Sequence, residues 1–483
     1  MMNNKMTLNL LSIFMILGKI LLGATLDFDD FNGTGKFINA KGGTITSPDG
    51  LPYDDVRGTL YVSGDFGEND YSDIIETDAV FSALNFNGLV VSDSPVYEAE
   101  IGNIPSTSSY YFVLTRNKFD EGVIENRELG RILELGYFDD NSFLKDNFYN
   151  EIKNFYSSSD LNDAVEETFG VNYFPLVTKQ NLEIFTNANT SVMDYVSDID
   201  EYFPVGYVKM LGNYIYQEIH VDRADNYDGY ETNSSIISFG AEKKLNEDLK
   251  VGVMGTFVDS TTDMDNYKAS RDDFFYLGHL FAAYRDETIT YTSMLSLGGA
   301  HTDIYRFNSS SLGDFMNESD MTSYFVGLNN SAYKRFQAGK SYIKPGVELN
   351  ILGLKQGAIT ENGNYGLEID KINTLSVKPG LGLVVGSDFG ITHKTKANLE
   401  ADIIGYVEVG EPYKDMDVRM KTISSEKAAI EKYDYHHYHL NISLKQSLKS
   451  TNGLNLSLVE KWVLFENQDR FEFNLGLEAY YIF

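Results

Sequence analysis

The sequence predicts an all-β membrane barrel of about twelve antiparallel strands, with one α-helix plugging its pore. Three observations lead there. From residue 204 onward, strand-length segments repeat one pattern, apolar on one phase and polar on the other. Side chains of a strand alternate faces, so each such segment has one greasy and one wet side. The charges keep to the wet phase: Lys344, Glu348, Glu400, Asp402, Lys445, Glu472 and Glu478 all fall there. The last segment sets Phe471, Phe473, Leu475, Leu477, Ala479, Tyr481 and Phe483 against Glu472, Asn474, Gly476, Glu478, Tyr480 and Ile482, with aromatics in its final residues. An apolar outer face, a polar inner face and an aromatic rim describe a barrel strand in a bilayer.

Composition narrows the classes of function. Lys and Arg number 39 against 71 Asp and Glu, a net charge of -32, which argues against a basic nucleic-acid footprint. There is no Cys, so no disulfide framework and no Cys metal site. Mean hydropathy is -0.26, as alternating strands allow, and no apolar run reaches the ~18 residues of a spanning helix.

The chain is taken in order from its start. Residues 1–24 carry Lys5, then an apolar stretch over 8–18 and a small residue at Ala24, the pattern of a secretory signal peptide. Residues 25–95 are rich in Gly, Asp, Asn, Ser and Thr, with short β-prone pieces at 36–38, 43–46 and 58–62. Such pieces would suit a few coils of a parallel β-helix. This segment contains no His, so a Ser-His-Asp site cannot lie wholly within it. Its acidic residues lack the spacing of a calcium loop and read as solvated turns.

Residues 96–203 form a junction and a helical linker. Segments 97–101 and 110–114 predict a hairpin. Leu144, Phe148, Ile152, Phe155 and Tyr156 then recur at helical spacing. A second, longer helix is predicted over 176–200, with Leu182, Phe185, Val192, Met193 and Val196 on one face, ended by Pro204. Its remaining surface is largely polar. A water-filled pore would accommodate such a helix better than a globular core.

Residues 204–483 carry the barrel strands. Those around Val253, Leu295, Val347, Ile403 and Ile442 share the alternation. Stretches 259–271 and 308–320 predict long extracellular loops, and 244–248 a short periplasmic turn. Glu460 breaks the rule by sharing a phase with Leu454, Leu456 and Leu458; a β-bulge would re-phase it. His437 and His439 are expected to face the lumen as polar lining, with no third metal ligand beside them. Ser443 shares their side, which alternation produces by default, so no catalytic set is assigned. No metal and no cofactor are expected.

The order of parts resembles a type V secretion autotransporter. The resemblance rests on residues 126–134 (Asn126, Arg127, Glu128, Leu129, Gly130, Arg131, Ile132, Leu133, Glu134), on the linker 160–173, on Ile343, Lys344, Pro345 and Gly346, on Glu361, Asn362 and Gly363, and on the final strand. It implies a barrel over 204–483 in the outer-membrane lipid, a short passenger over 25–95 displayed at the cell surface, and a helix left in the pore. It implies delivery by periplasmic chaperones and the barrel-assembly machinery, with Asn474, Gly476, Ala479, Tyr481 and Phe483 as the assembly signal. The leading expectation for the displayed segment is attachment to a host or cell-surface ligand, and no enzymatic activity is expected. Some family members cleave themselves at an Asn-Asn pair in the pore helix. Here Ala188 separates Asn187 from Asn189, so the passenger is expected to stay attached. The competing expectation is a porin-like outer-membrane channel.

Overall fold

The computed structural model describes residues 94–137 and most of 145–483, and before them only short segments between Thr25 and Ser92. The expected signal peptide lies outside the described residues. The chain divides into two compact units, residues 1–168 with 310–312, and the remainder.

In the first unit, Thr25–Asp27 pairs in parallel with Asp55–Arg57, and Thr59–Ser63 pairs in parallel with both Ile38–Asn39 and Leu89–Ser92. The predicted hairpin is present as Tyr97–Asn103 against Ser109–Arg116. Two helices that the spacing did not single out follow it, Arg127–Tyr137 and Ser158–Phe169. The first is capped by Asn126, whose Oδ1 accepts from the Leu129 amide at 3.1 Å. Arg116 pins this helix to the hairpin through a bidentate contact with Glu134, both bonds 2.8 Å, and lies over the Tyr137 ring. Gly130 is required there, because a Cβ would sit 2.4 Å from the Phe119 carbonyl oxygen. The helix expected from Leu144 onward is instead one π turn, Lys145–Tyr149, and a single α turn, Asn150–Ile152. Its apolar spacing serves an irregular segment folded over a small core of Phe119, Leu133, Tyr149 and Ile152.

The second unit is a closed barrel of twelve antiparallel strands. They are β1 (Val208–Val221), β2 (Tyr230–Lys244), β3 (Leu249–Met264), β4 (Lys268–Arg285), β5 (Ile289–Ser310), β6 (Gly313–Lys334), β7 (Ser341–Gln356), β8 (Ile372–Thr392), β9 (Thr395–Val407), β10 (Tyr438–Ser450), β11 (Leu454–Phe465) and β12 (Arg470–Ile482). β1 and β12 close the ring, in register from Lys209 opposite Ile482 to Val221 opposite Arg470. An even count makes that closure antiparallel as well. One end carries tight turns, such as 245–248, where the Asn246 side chain accepts from the amides of Asp248 and Leu249. The other end carries the longest connections, 222–229, 357–371 and 408–437, beside short ones such as 311–312. Two of these pair into a four-stranded sheet of Ile359–Thr360, Leu367–Ile369, Met416–Met420 and Ala428–Ile430.

The outer face is the apolar phase. Val253, Phe257, Phe274, Leu280, Leu297, Val326, Val347, Leu383, Ile403 and Leu477 are all exposed. A soluble protein does not display a belt of this size. Leu280 lies mid-strand in it, between Tyr276 and Tyr284. Leu280→Arg is expected to cost about 2–4 kcal/mol of barrel stability in lipid, whereas Leu280→Phe is expected to be near neutral. Urea midpoints of the heat-modifiable band on a gel read both.

Three expectations are corrected here. Stretches 259–271 and 308–320 are mostly strand: β3 and β4 pair out to Asp263 opposite Ser270, and β5 and β6 reach residues 310 and 313. These strands continue beyond the apolar belt with Asp259, Asp263 and Asp272 outward, a paired edge that water tolerates. Glu460 lies on no bulge; β11 pairs with β12 in unbroken register, with Glu460 opposite Leu475. The lumen is not uniformly polar. Met254, Val258, Phe275, Leu277, Phe281, Met294 and Phe325 are buried on its inner side.

Candidate functional site: the helix in the barrel lumen

A 24-residue helix, α1 (Tyr173–Val196), runs through the lumen. It begins three residues earlier than expected, with Pro175 in its first turn, where a missing N–H breaks no helical bond. It ends eight residues before Pro204. Thr186 folds its hydroxyl back onto the Leu182 carbonyl at 2.6 Å, and Ser191 onto that of Ala188 at 2.8 Å, so neither competes with the wall for partners.

The apolar face of α1 meets an apolar strip of the wall. Leu182, Phe185 and Ala188 pack with Ile236, Val258, Phe275, Leu277, Phe325 and Leu352. The Phe185 and Phe325 rings lie 4.6 Å apart. Gly327 makes room for this approach, since a Cβ there would stand 2.9 Å from Asn189 Nδ2 and 3.3 Å from Phe185. Further along, Val192, Met193 and Val196 pack with Leu211, Met254, Phe281, Met294 and Tyr480. The five helix positions singled out from the sequence are thus all buried, against side chains of the inner phase.

Polar contacts fix the rest. Arg271 of β4 is fully buried and donates to the Val177 carbonyl (3.0 Å), to Gln180 Oε1 (2.9 Å) and to Asn181 Oδ1. It is held by Asp273 at 2.7 Å, which also accepts from Thr302 at 2.6 Å. Glu183 pairs with Arg470 of β12, which also reaches Glu472 at 3.1 Å. Lys179 donates to Tyr230 at 3.0 Å, Thr178 to Gln356 at 3.0 Å, and Lys461 to Thr190 at 3.4 Å. Tyr195 donates to the Ala479 carbonyl. Breaking one of these buried ion pairs costs more than breaking an exposed one, because removing either partner strands a buried charge.

The direction of α1 follows from these partners. Its first turns meet Tyr230, Arg271 and Gln356, which lie toward the strand ends away from the tight turns such as 245–248. Its last turns meet Leu211, Met254 and Tyr480, near the tight turns. The chain therefore enters the lumen at the long-loop end and leaves it at the turn end, where β1 begins at Val208.

The charged residues expected in the lumen line its turn-end half. Lys344 donates to Glu400 at 2.7 Å, Lys445 pairs with Glu478 at 2.7 Å, and Glu348 accepts from Tyr333 at 2.6 Å and from Tyr406. With Asp402 and Asp194 they surround a cavity of about 160 Å³, large enough for several waters. Glu472 lies higher, beside a smaller cavity of about 40 Å³ that His439 also lines. His439 stacks on Tyr406 at 5.0 Å. His437 is corrected: it precedes β10, which starts at Tyr438, and is exposed rather than on a lumen-facing strand position. Among the described residues no three acidic or His side chains are grouped to hold a metal ion. On β12, Asn474 and Gly476 face inward, while Ala479, Tyr481 and Phe483 face outward, with the last two rings 4.7 Å apart.

Arg271, Asp273, Glu183, Arg470 and Lys461 were not singled out from the sequence. The signal existed for Arg271 and Asp273, which share a phase with Phe275, Leu277 and His279; treating 259–271 as a loop hid it.

A family model described as the autotransporter β-domain matches residues 210–458. No curated protein matches the chain. Among solved structures, the chain is similar to the translocator domain of the autotransporter NalP from Neisseria meningitidis (14% identity, 62% of this chain and 97% of that one, TM-score 0.48). It is also similar to the β-domain of the Bordetella autotransporter BrkA (10%, 57% and 98%, TM-score 0.42) and to an outer membrane channel from Pseudomonas putida (14%, 59% and 99%, TM-score 0.35).

Proposed function

The chain belongs to the autotransporter β-domain family and is an outer-membrane translocator, and on that premise we propose that it displays its own N-terminal residues on the cell surface. Residues 1–24 direct export, 25–95 are the passenger, 96–203 the junction and linker, and 204–483 the barrel. The observation that carries the reading is the direction of α1. Its Tyr173 end meets the long-loop end of the barrel, through Lys179 with Tyr230 and Thr178 with Gln356. Long loops are the extracellular end of such barrels. Everything before Tyr173 then continues from the outside.

Periplasmic chaperones and the barrel-assembly machinery deliver the chain, reading Asn474, Gly476, Ala479, Tyr481 and Phe483 on β12. The passenger serves attachment to a host or cell-surface ligand, and it remains joined to the barrel. Protease shaving of intact cells with an epitope tag placed after Ala40 tests this. Loss of the tag with the barrel still heat-modifiable supports display. A protected tag with a folded barrel sinks it and favours the channel reading, for which the cavities beside the polar face of α1 speak. A surface fragment released without added protease would refute the claim of attachment.

A further inference from the structure

The chain carries a net charge of -32, yet one sector of its turn-end rim is basic. Residues 335–340 join β6 to β7, and residues 393–394 join β8 to β9. The two turns are neighbours on the rim, because β7 pairs with β8. The strand ends that meet there, residues 334–345 and 383–399, hold six Lys and Arg against a single acidic residue, Asp388. Asp388 lies on the lumen side, where Arg335 donates to it at 3.2 Å. Lys344 also turns inward, to Glu400. Lys334, Lys340 and Lys394 stay exposed, and among the described residues no carboxylate pairs with any of them. Lys334 stands 5.3 Å from the centre of the exposed Phe336 ring. Phe336 faces Ile343 across the ladder, and Ile343 faces Val385, all three on the outer side. The turn that bears Lys340 is latched to β8, its carbonyl accepting from the Asp388 amide at 2.9 Å. Beside it the hydroxyls of Ser341 and Ser387 lie 3.2 Å apart on the outward phase. At the loop end the outward phase bears carboxylates instead, among them Glu218, Asp259, Asp263 and Asp272.

We propose that this rim binds an anionic phospholipid, its phosphate held by Lys334, Lys340 and Lys394 and its acyl chains laid along Phe336, Ile343 and Val385. The belt above the rim faces hydrocarbon, so the rim itself sits at headgroup depth, where a lysine extends its stem along apolar surface and its ammonium toward the headgroups. Only the lipid brings a dense layer of negative charge to that depth. A zwitterionic headgroup carries its own ammonium, which cancels much of the attraction; an anionic one leaves the phosphate to the lysines. The Ser341 and Ser387 hydroxyls supply donors for the remaining headgroup oxygens. The proposal rests on the reading that sets the turn end in the periplasm, because the leaflet on that side is the one built of phospholipid.

The chain has a single Trp, Trp462, near the loop end of β11, which makes the test direct. Phe336→Trp combined with Trp462→Phe moves the fluorophore to the rim. The full chain is reconstituted in phosphatidylcholine bilayers that contain either brominated phosphatidylglycerol or brominated phosphatidylcholine, whose bromines quench Trp on contact. At the rim the anionic lipid should be preferred about tenfold, and the preference should shrink at high salt. The parent, reporting from Trp462, should show no preference. Lys334→Gln, Lys340→Gln and Lys394→Gln together should abolish the preference at the rim. All three side chains are exposed, so the barrel should stay folded, which heat-modifiability checks. The proposal is overturned if the two lipids quench the rim Trp equally, if the triple variant keeps the preference, or if Trp462 shows the same one. Both leaflets of these bilayers have one composition, so the result does not depend on the direction of insertion. A chain inserted the other way round would keep the preference and instead expose the turn between β2 and β3 on intact cells, which separates failure of the display reading from failure of this one.

Discussion

Removing residues 1–196 is expected to raise the conductance of the barrel in planar bilayers by about tenfold or more, since a helix of ~10–12 Å diameter fills a lumen that twelve strands leave open. The same deletion should lower stability. Leu182, Phe185, Val192, Met193 and Val196 are all buried on the inner wall, and each buried apolar side chain of this size contributes roughly 1.5–3 kcal/mol. The strip they leave, centred on Phe275, Phe325 and Leu352, would face water. Conductance and urea midpoint should therefore move together. An unchanged conductance in a correctly folded, helix-free barrel would mean that α1 is no plug.

The second large effect is expected at Arg271. Arg271→Leu removes its bonds to Val177, Gln180 and Asn181 and leaves Asp273 buried with Thr302 as its remaining hydroxyl partner. Breaking a buried pair by removing one member costs about 3–5 kcal/mol. The loss should appear as a lower midpoint and as leak current in the otherwise intact barrel. Arg271→Lys keeps the charge but cannot reach three acceptors at once, so it should fall between. Arg271→Leu combined with Asp273→Asn should recover part of the stability, because no unpaired charge remains, but not the seal. Recovery of the seal as well would show that the helix is held by its apolar face alone.

How much of this was legible follows from how the residues encode it. The strands were legible because alternation with a two-residue period is a local property, and Val253, Leu295 and Leu477 declare the outward face without reference to any partner. The helix was legible for the same reason, from Leu182, Phe185, Val192, Met193 and Val196. What holds the helix was not. Phe275, Phe325 and Leu352 sit on the phase that alternation labels as wet, and only the placement of α1 opposite them explains why they are apolar. Arg271 and Arg470 act through partners about 90 and 287 residues away in the chain, which no local pattern reveals. Strand ends misled in the other direction. Polar residues such as Asp259, Asp263 and Asp272 look like a loop, yet above a lipid belt a strand is free to be polar on its outer side. Glu460 was visible as an exception from the start. The intact register of β11 with β12 excludes a bulge there and keeps its carboxyl on the outward phase.

Labelling of single Cys variants on intact cells tests the central claim most directly, because the parent chain has no thiol. Glu98→Cys lies on an exposed position before α1, and Glu247→Cys on the exposed β2–β3 turn. With a membrane-impermeant maleimide, the account predicts that Glu98→Cys is labelled at once and that Glu247→Cys is labelled only after the outer membrane is permeabilised. Labelling of Glu247→Cys on intact cells, with Glu98→Cys protected in a folded barrel, would reverse the direction of α1 across the membrane and contradict the account.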